Sequence, residues 1–285
     1  MSLARKVLAA VLSAGIGFAC GYAGESAKCE VSFEKNGTAV LSNSLFSIQV
    51  SPYLGQNYGI SKWLNKPSGF EMVDVLYGQT DYVKGHLLGE LWENAVKDGL
   101  PAGTPFPHNF LTVLQACTVS DNGRANELIQ IGEGDYRWTR SIVFRQDYSV
   151  LEIRYEMENL RGAPILTALR FHSAMSPGAR GKYQDKNENI FMATAKGILA
   201  LDQSLNADQY HERYKQDKFF LPIWGKDEPG RSWVNGKLET PALDGNWIAQ
   251  VNKANGDGMS IQIEKDRLVG FYNCPGVTIE PVLKA

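Results

Sequence analysis

Leu151-Glu-Ile-Arg-Tyr-Glu-Met157 alternates apolar and polar residues without a break. Successive side chains of a strand point to opposite sides, so a period of two marks a strand with one wet and one dry face. The pattern extends outward on both sides. Tyr136 to Phe144 precedes it across Arg145-Gln-Asp147. The same grammar recurs where Phe110 to Ser120 and Ala125 to Ile131 flank Asp121-Asn122-Gly123, and where Trp247 to Val251 and Met259 to Ile263 flank Asn255-Gly-Asp-Gly258. Near the start, Cys29 to Phe33 and Ala39 to Leu41 flank Asn36-Gly37, with Leu45 to Val50 following. An Asn-Gly pair predicts a two-residue type I′ turn, because both central residues need positive φ. Helix is scarce. The 3.6-residue period appears over Ser204 to Lys218, where Ala207, Tyr210 and Tyr214 share a face, and more weakly over Leu87 to Val96. About a dozen strands with one or two short helices predict an all-β fold of stacked antiparallel sheets.

Composition agrees with this. Of 285 residues, 44% are apolar and 21% charged, which excludes a disordered chain, a collagen and a many-pass membrane protein. Lysine plus arginine number 29 against 31 acids, with no long basic run, so nucleic acid is not the expected partner. No Gly-rich phosphate loop follows a strand and opens a helix, so nucleotide binding has no support.

The first 23 residues read as an export address, with Arg5 and Lys6 before an uncharged run from Val7 to Ala19 and small residues at Gly21 and Ala23. The run is too short to span a bilayer. Cleavage after Ala23 gives a soluble periplasmic or extracellular chain, residues 24–285, and lowers the net charge from -2 to -4. Lipid attachment at Cys20 is the competing route. Gly17 stands where a lipidation signal carries an aliphatic residue, which favours the soluble product. Cys29, Cys117 and Cys274 remain, spaced too widely for a zinc knuckle. One disulfide with one thiol, and three buried small hydrophobes, both fit.

The long stretches Ser61 to Leu111 and Gln203 to Leu243 read as connections, and they carry Trp63, Trp92, Trp224 and Trp233. Loops on a tight scaffold often build a binding site. Of the four histidines, His86, His108, His172 and His211, none has metal-ligand spacing, so neither a metal nor another cofactor is expected. His172 ends the run Thr167 to His172, in which Arg170 and His172 alternate with Leu169 and Phe171. An arginine and a histidine on one strand face suit hydroxyl and proton handling. Glu280 lies near the C-terminus in Gly276-Val-Thr-Ile-Glu-Pro281, on the face of Thr278, and Pro281 reads as a strand end or edge. A carboxylate and an imidazole in one cleft supply a base and an acid.

Three stretches together resemble the galactose mutarotase-like group, the aldose 1-epimerases and their β-supersandwich relatives. They are Ser51-Pro-Tyr-Leu-Gly55 through Lys66, Leu151 to Asn159 through Arg170-Phe-His172, and Gly276 to Pro281. The resemblance implies a supersandwich whose partner is a mono- or oligosaccharide. It also implies Glu280 as the base for the anomeric hydroxyl and His172 as the acid for the ring oxygen. His86, in Gly85-His-Leu-Leu-Gly89, matches the group's earlier substrate-binding histidine more loosely. Arg170, Trp63, Trp92 and Trp224 complete the expected substrate contacts, since aromatic rings stack on the apolar faces of sugars. The chain departs from true epimerases around His172, where Phe171 precedes it and Ser173-Ala-Met175 follows. A non-catalytic carbohydrate-binding protein is therefore the alternative. A polysaccharide lyase is a weaker one, because the chain has no room for the helical toroid of those enzymes.

Overall fold

A computed structural model of the chain describes residues 6–14, 29–53, 57–73, 91–97, 100–106, 113–119, 125–133, 136–160, 167–171, 173, 175, 177, 188–202, 209, 212, 219–222, 243–274 and 278–284. Strands make up most of them. In chain order these are β1 (Lys6–Ala14), β2 (Glu30–Phe33), β3 (Ala39–Ser42), β4 (Phe46–Tyr53), β5 (Asn57–Asn65), β6 (Phe70–Glu71), β7 (Leu91–Lys97), β8 (Leu100–Phe106), β9 (Val113–Val119) and β10 (Ala125–Glu133). They continue with β11 (Tyr136–Arg145), β12 (Val150–Asn159), β13 (Thr167–Phe171), β14 (Glu188–Thr194), β15 (Gly197–Asp202), β16 (Phe219–Pro222), β17 (Leu243–Asn252), β18 (Gly258–Ile263), β19 (Leu268–Cys274) and β20 (Thr278–Lys284).

The strands form three antiparallel sheets. A nine-stranded sheet has the order β15-β14-β17-β18-β1-β12-β11-β10-β9, a six-stranded sheet β16-β19-β20-β13-β7-β8, and a five-stranded sheet β2-β3-β4-β5-β6. The expected all-β antiparallel sandwich is what the chain forms. All four hairpins read from the sequence are present as β2/β3, β9/β10, β11/β12 and β17/β18. Among the described residues no helix is long and apolar enough to cross a membrane.

Alternation explains the layering. In β12, Leu151, Ile153 and Tyr155 are buried while Arg154 and Glu156 are exposed. Register carries the dry face across the sheet, with Ile153 opposite Ile142 and Ile142 opposite Leu128. In the other half, Met192, Ile248 and Ile261 form one buried row. Phe171, Leu268, Phe271 and Leu283 of the six-stranded sheet and Leu41, Phe46, Ile48 and Ile60 of the five-stranded sheet join the same core. Each such side chain, fully buried, contributes about 1.5–3 kcal/mol of transfer free energy. Phe46 stands 6.1 Å from Phe144, ring centre to ring centre, and ties the five-stranded sheet to the nine-stranded one.

A polar clasp reinforces that junction. Asn43, 1% exposed between β3 and β4, donates from Nδ2 to the carbonyls of Arg145 (2.7 Å) and Tyr148 (2.9 Å) in the β11–β12 turn. Its Oδ1 accepts from the backbone N–H groups of Leu45 and Phe46, each at 2.8 Å. One carboxamide thus closes its own turn and grips a turn about a hundred residues away in sequence.

Several expectations are corrected. The Asn36-Gly37 turn is not a two-residue loop. Glu34 N–H donates to Thr38 C=O and Gly37 N–H donates to Glu34 C=O, the pattern of a three-residue loop with a bulge. Gly37 alone then meets the need for a left-handed residue, at φ 87. The helix expected over Leu87 to Val96 is contradicted by strand β7, which is hydrogen-bonded to β13 and β8, so tertiary pairing overrides the weak local period. The stretch Ser61 to Leu111 is likewise no simple connection, since it holds most of β5 and all of β6, β7 and β8. Within Gln203 to Leu243, Phe219–Pro222 is a strand. Of the helix expected over 204–218, only Gln209 and Glu212 are described, and both are helical. Pro281 is neither a strand end nor on an edge strand, because β20 runs on to Lys284 between β19 and β13. The export reading of residues 1–23 is not among these corrections; in the structure Lys6–Ala14 is strand β1 of the nine-stranded sheet.

Replacing Asn43 by Ala strands two backbone carbonyls and two backbone N–H groups at a buried junction. Asn43→Ala is expected to lose about 2–4 kcal/mol of stability, read by urea denaturation with the slope unchanged.

Candidate functional site

The six-stranded sheet carries the candidate site, and its register decides which residues meet. β13 lies between β20 and β7. Arg170 pairs with Val282 on one side and Trp92 on the other, while Phe171 pairs with Leu91. On β20, Glu280 pairs with Tyr272 of β19, and the next residue, Pro281, pairs with Phe271. Phe171, Phe271, Pro281 and Leu283 are all buried and mark the dry positions of this sheet. Trp92, Arg170 and Glu280 thus stand on three neighbouring strands, β7, β13 and β20, of one sheet. His172, His86 and Trp224 lie outside the described residues.

The chain that leaves β13 is held from the opposite sheet. Ser173, Met175 and Pro177 are buried, and Met175 makes an isolated bridge with Val73. Gln250 Nε2 donates to the carbonyl of Met175 at 3.0 Å, and Asn252 Nδ2 donates to that of Pro177 at 2.9 Å. Both carboxamides stand on β17 in line with Ile248, at positions that alternation assigns to the dry face, and are 7% and 1% exposed. A buried amide is expensive unless it is paired, so two in succession on a dry face announce a partner. That signal is legible in the sequence, where Gln250 and Asn252 continue the apolar positions of Ile248.

Trp63 has a different place from the one expected. It is 0% exposed and packs its ring 5.6 Å from that of Phe46 in the core. Among the described residues its indole N–H meets no acceptor. A ring with no exposed surface has no face to offer a sugar, so Trp63 is a packing residue and not a stacking platform.

Three titratable groups in the described part are shifted, Glu71, Cys29 and Arg154, the last raised by its hydrogen bond to Glu152, and none sits beside Arg170 in the sheet. Burial raises the Glu71 carboxyl above its ordinary 4.5, against backbone N–H groups of Trp63, Met72 and Val73 and the charge of Lys62, which act to lower it. Glu71 Oε1 accepts from the backbone N–H of Trp63. The Cys29 thiol is pushed up to about 11 by burial, with Asp147 adding to the effect. Such a thiol is almost wholly protonated at neutral pH and a poor nucleophile. Among the described residues no group of three or more His, Cys, Asp or Glu could hold a metal ion. A further polar pair lies inside the sandwich, where Arg140, 2% exposed, donates from Nε to Oε1 of the buried Gln130 across the β10–β11 ladder.

No protein-family model matches the chain, and no curated protein matches it. The site therefore rests on its own residues.

Two outcomes follow. Trp63→Ala should cost about 3–5 kcal/mol in denaturant unfolding, and a stability equal to the parent's would contradict its packing role. For Glu71, a folded pKa above the ordinary one means that its contribution is fully present below pH 4.5 and is lost as pH rises through the folded value. Glu71→Gln should therefore gain stability relative to the parent between pH 4 and pH 7, and a constant difference across that range would contradict the shift.

Proposed function

We propose that this is an exported carbohydrate-handling protein of the galactose mutarotase-like kind, which interconverts sugar anomers with Glu280 as base and His172 as acid. The observation that carries the reading is the register of β13 on β20. Leu169 pairs with Leu283 and Arg170 with Val282. β13, which bears Arg170, thus lies directly beside β20, which bears Glu280, and this adjacency supports one site built from both strands.

The chemistry needs only protons. The Glu280 carboxylate takes the proton of the anomeric hydroxyl while protonated His172 gives one to the ring oxygen, and the C1–O5 bond breaks. The aldehyde turns about C1–C2. Closure reverses both transfers and forms the ring with C1 inverted, which returns each group to its starting state. No cofactor is consumed. Arg170, two residues before His172 on the same strand positions, would hold a sugar hydroxyl, and Trp92 opposite Arg170 offers a ring for an apolar sugar face. His86 and Trp224 are assigned to substrate contact on the resemblance alone. Export is supported by Arg5, Lys6 and the apolar run after them.

The test is anomer interconversion of several aldoses, followed by NMR saturation exchange. His172→Ala and Glu280→Gln should each slow exchange by about 10²–10⁴-fold, with sugar binding retained. A parent protein that binds glycans without accelerating exchange would make it a binding protein, and one that does neither would end the carbohydrate reading.

A further inference from the structure

Asn36-Gly37-Thr38 is the one place in the chain where an asparagine is followed two residues later by a serine or threonine. That spacing is the acceptor signal for N-linked glycosylation of exported chains. The enzyme that reads it needs two groups, a carboxamide nitrogen to carry the sugar and a hydroxyl two residues further on. The fold treats the two differently.

Asn36 stands in the β2–β3 turn, exposed together with Glu34 and Lys35. Its Oδ1 accepts from the backbone N–H of Thr38 at 2.9 Å, and its side chain makes no other hydrogen bond among the described residues. A sugar placed on Nδ2 therefore breaks no contact, and Oδ1 keeps its bond because the link forms at nitrogen. Thr38 is 3% exposed. Its hydroxyl donates to Ser51 Oγ of β4 at 3.2 Å, and that oxygen lies 2.8 Å from Ser61 Oγ of β5. The hydroxyl is thus covered once β3, β4 and β5 have paired.

We propose that Asn36 is an N-glycosylation site whose acceptor form belongs to the chain before the five-stranded sheet closes. The donor is an oligosaccharide on a lipid pyrophosphate, and the catalyst is an oligosaccharyltransferase of the compartment the chain enters. Asn36 Nδ2 attacks C1 of the first sugar as the bond from C1 to the pyrophosphate oxygen breaks. The lipid pyrophosphate leaves with the electron pair, and one Nδ2 proton passes to a base of the enzyme. A folded chain offers the nitrogen without the hydroxyl, and the β2–β3 hairpin must open from β4 to restore it. Such local opening is a minor state of a folded protein. The order is then sugar first and β3 on β4 second, and the finished chain carries its glycan on an exposed turn. This inference shares with the proposed function only the export of the chain, and it uses no residue of the β13–β20 site.

The test supplies a purified oligosaccharyltransferase and a lipid-pyrophosphate-linked oligosaccharide to the full chain in solution, so failure of export and failure of the site give separate results. Two open forms are compared with the folded parent. One is the parent diluted from urea into the reaction. The other is Ile48→Asp, which sets a carboxylate at a position with no exposed surface. Both should gain one glycan, located at Asn36 by mass spectrometry, at least about tenfold faster than the folded parent. In the open forms Asn36→Gln and Thr38→Val should abolish transfer, and Thr38→Ser should retain it. No transfer to either open form, or transfer that survives Thr38→Val, would overturn the site. Equal rates for open and folded chains would overturn the claim that the fold hides the hydroxyl.

Discussion

The dry face of β12 fixes the register of the sandwich. Leu151, Ile153 and Tyr155 are buried, whereas Glu152, Arg154 and Glu156 alternate with them. A slip of one residue would bring two carboxylates and a guanidinium into the core, each costing several kcal/mol after relaxation. Every neighbour inherits the choice, because Ile142 and Leu128 are buried only while they stand opposite Ile153 and each other. Large apolar side chains supply most of the favourable free energy, but alternation decides which ones can contribute.

Polar groups inside that layer serve a different purpose. Asn43, Gln250 and Asn252 are buried carboxamides that each bond to backbone carbonyls far away in sequence. Hydrophobic contact is non-directional and tolerates sliding, whereas a carboxamide on a carbonyl permits one geometry. The three residues therefore specify how the sheets are juxtaposed more than how strongly they adhere. Gln250 and Asn252 hold the chain just past β13, so the exit from the strand bearing Arg170 is fixed from the nine-stranded sheet.

Local pattern made much of the fold legible. Strict alternation and Gly-bearing turns identified the β2/β3, β9/β10, β11/β12 and β17/β18 hairpins, because neighbouring strands in sequence pair by short-range rules. The pairing of β13 with both β20 and β7 was not legible, since it joins residues roughly seventy to a hundred and twenty positions apart and leaves no periodic trace. β7 illustrates the limit: Leu91–Lys97 has a helical period by accident and becomes a strand because two neighbours offer it ladders. Trp63 failed because a tryptophan's fate depends on what covers it. Here Phe46 and the rest of the core enclose the ring, and composition carries no record of that.

Departures from the local rules occur in all three sheets. Pro281 stands in the middle of an internal strand, where it removes one ladder donor directly beside Glu280. On the adjoining β19 the register shifts between Leu268 and Gly270, a bulge that re-aims the strand. Gln250 and Asn252 place amides on a dry face to secure residues 175 and 177. These adjoin β20 or the exit of β13, but the register also shifts between Gln49 and Val50 on β4 and between Met192 and Thr194 on β14, whereas the long hairpin β11–β12 keeps its register throughout. Each carries a cost, about 1 kcal/mol for an unmade backbone hydrogen bond and more for an amide before it is paired. The buried Arg140–Gln130 pair, by contrast, follows the regular ladder of β10 on β11 and has almost no exposed surface.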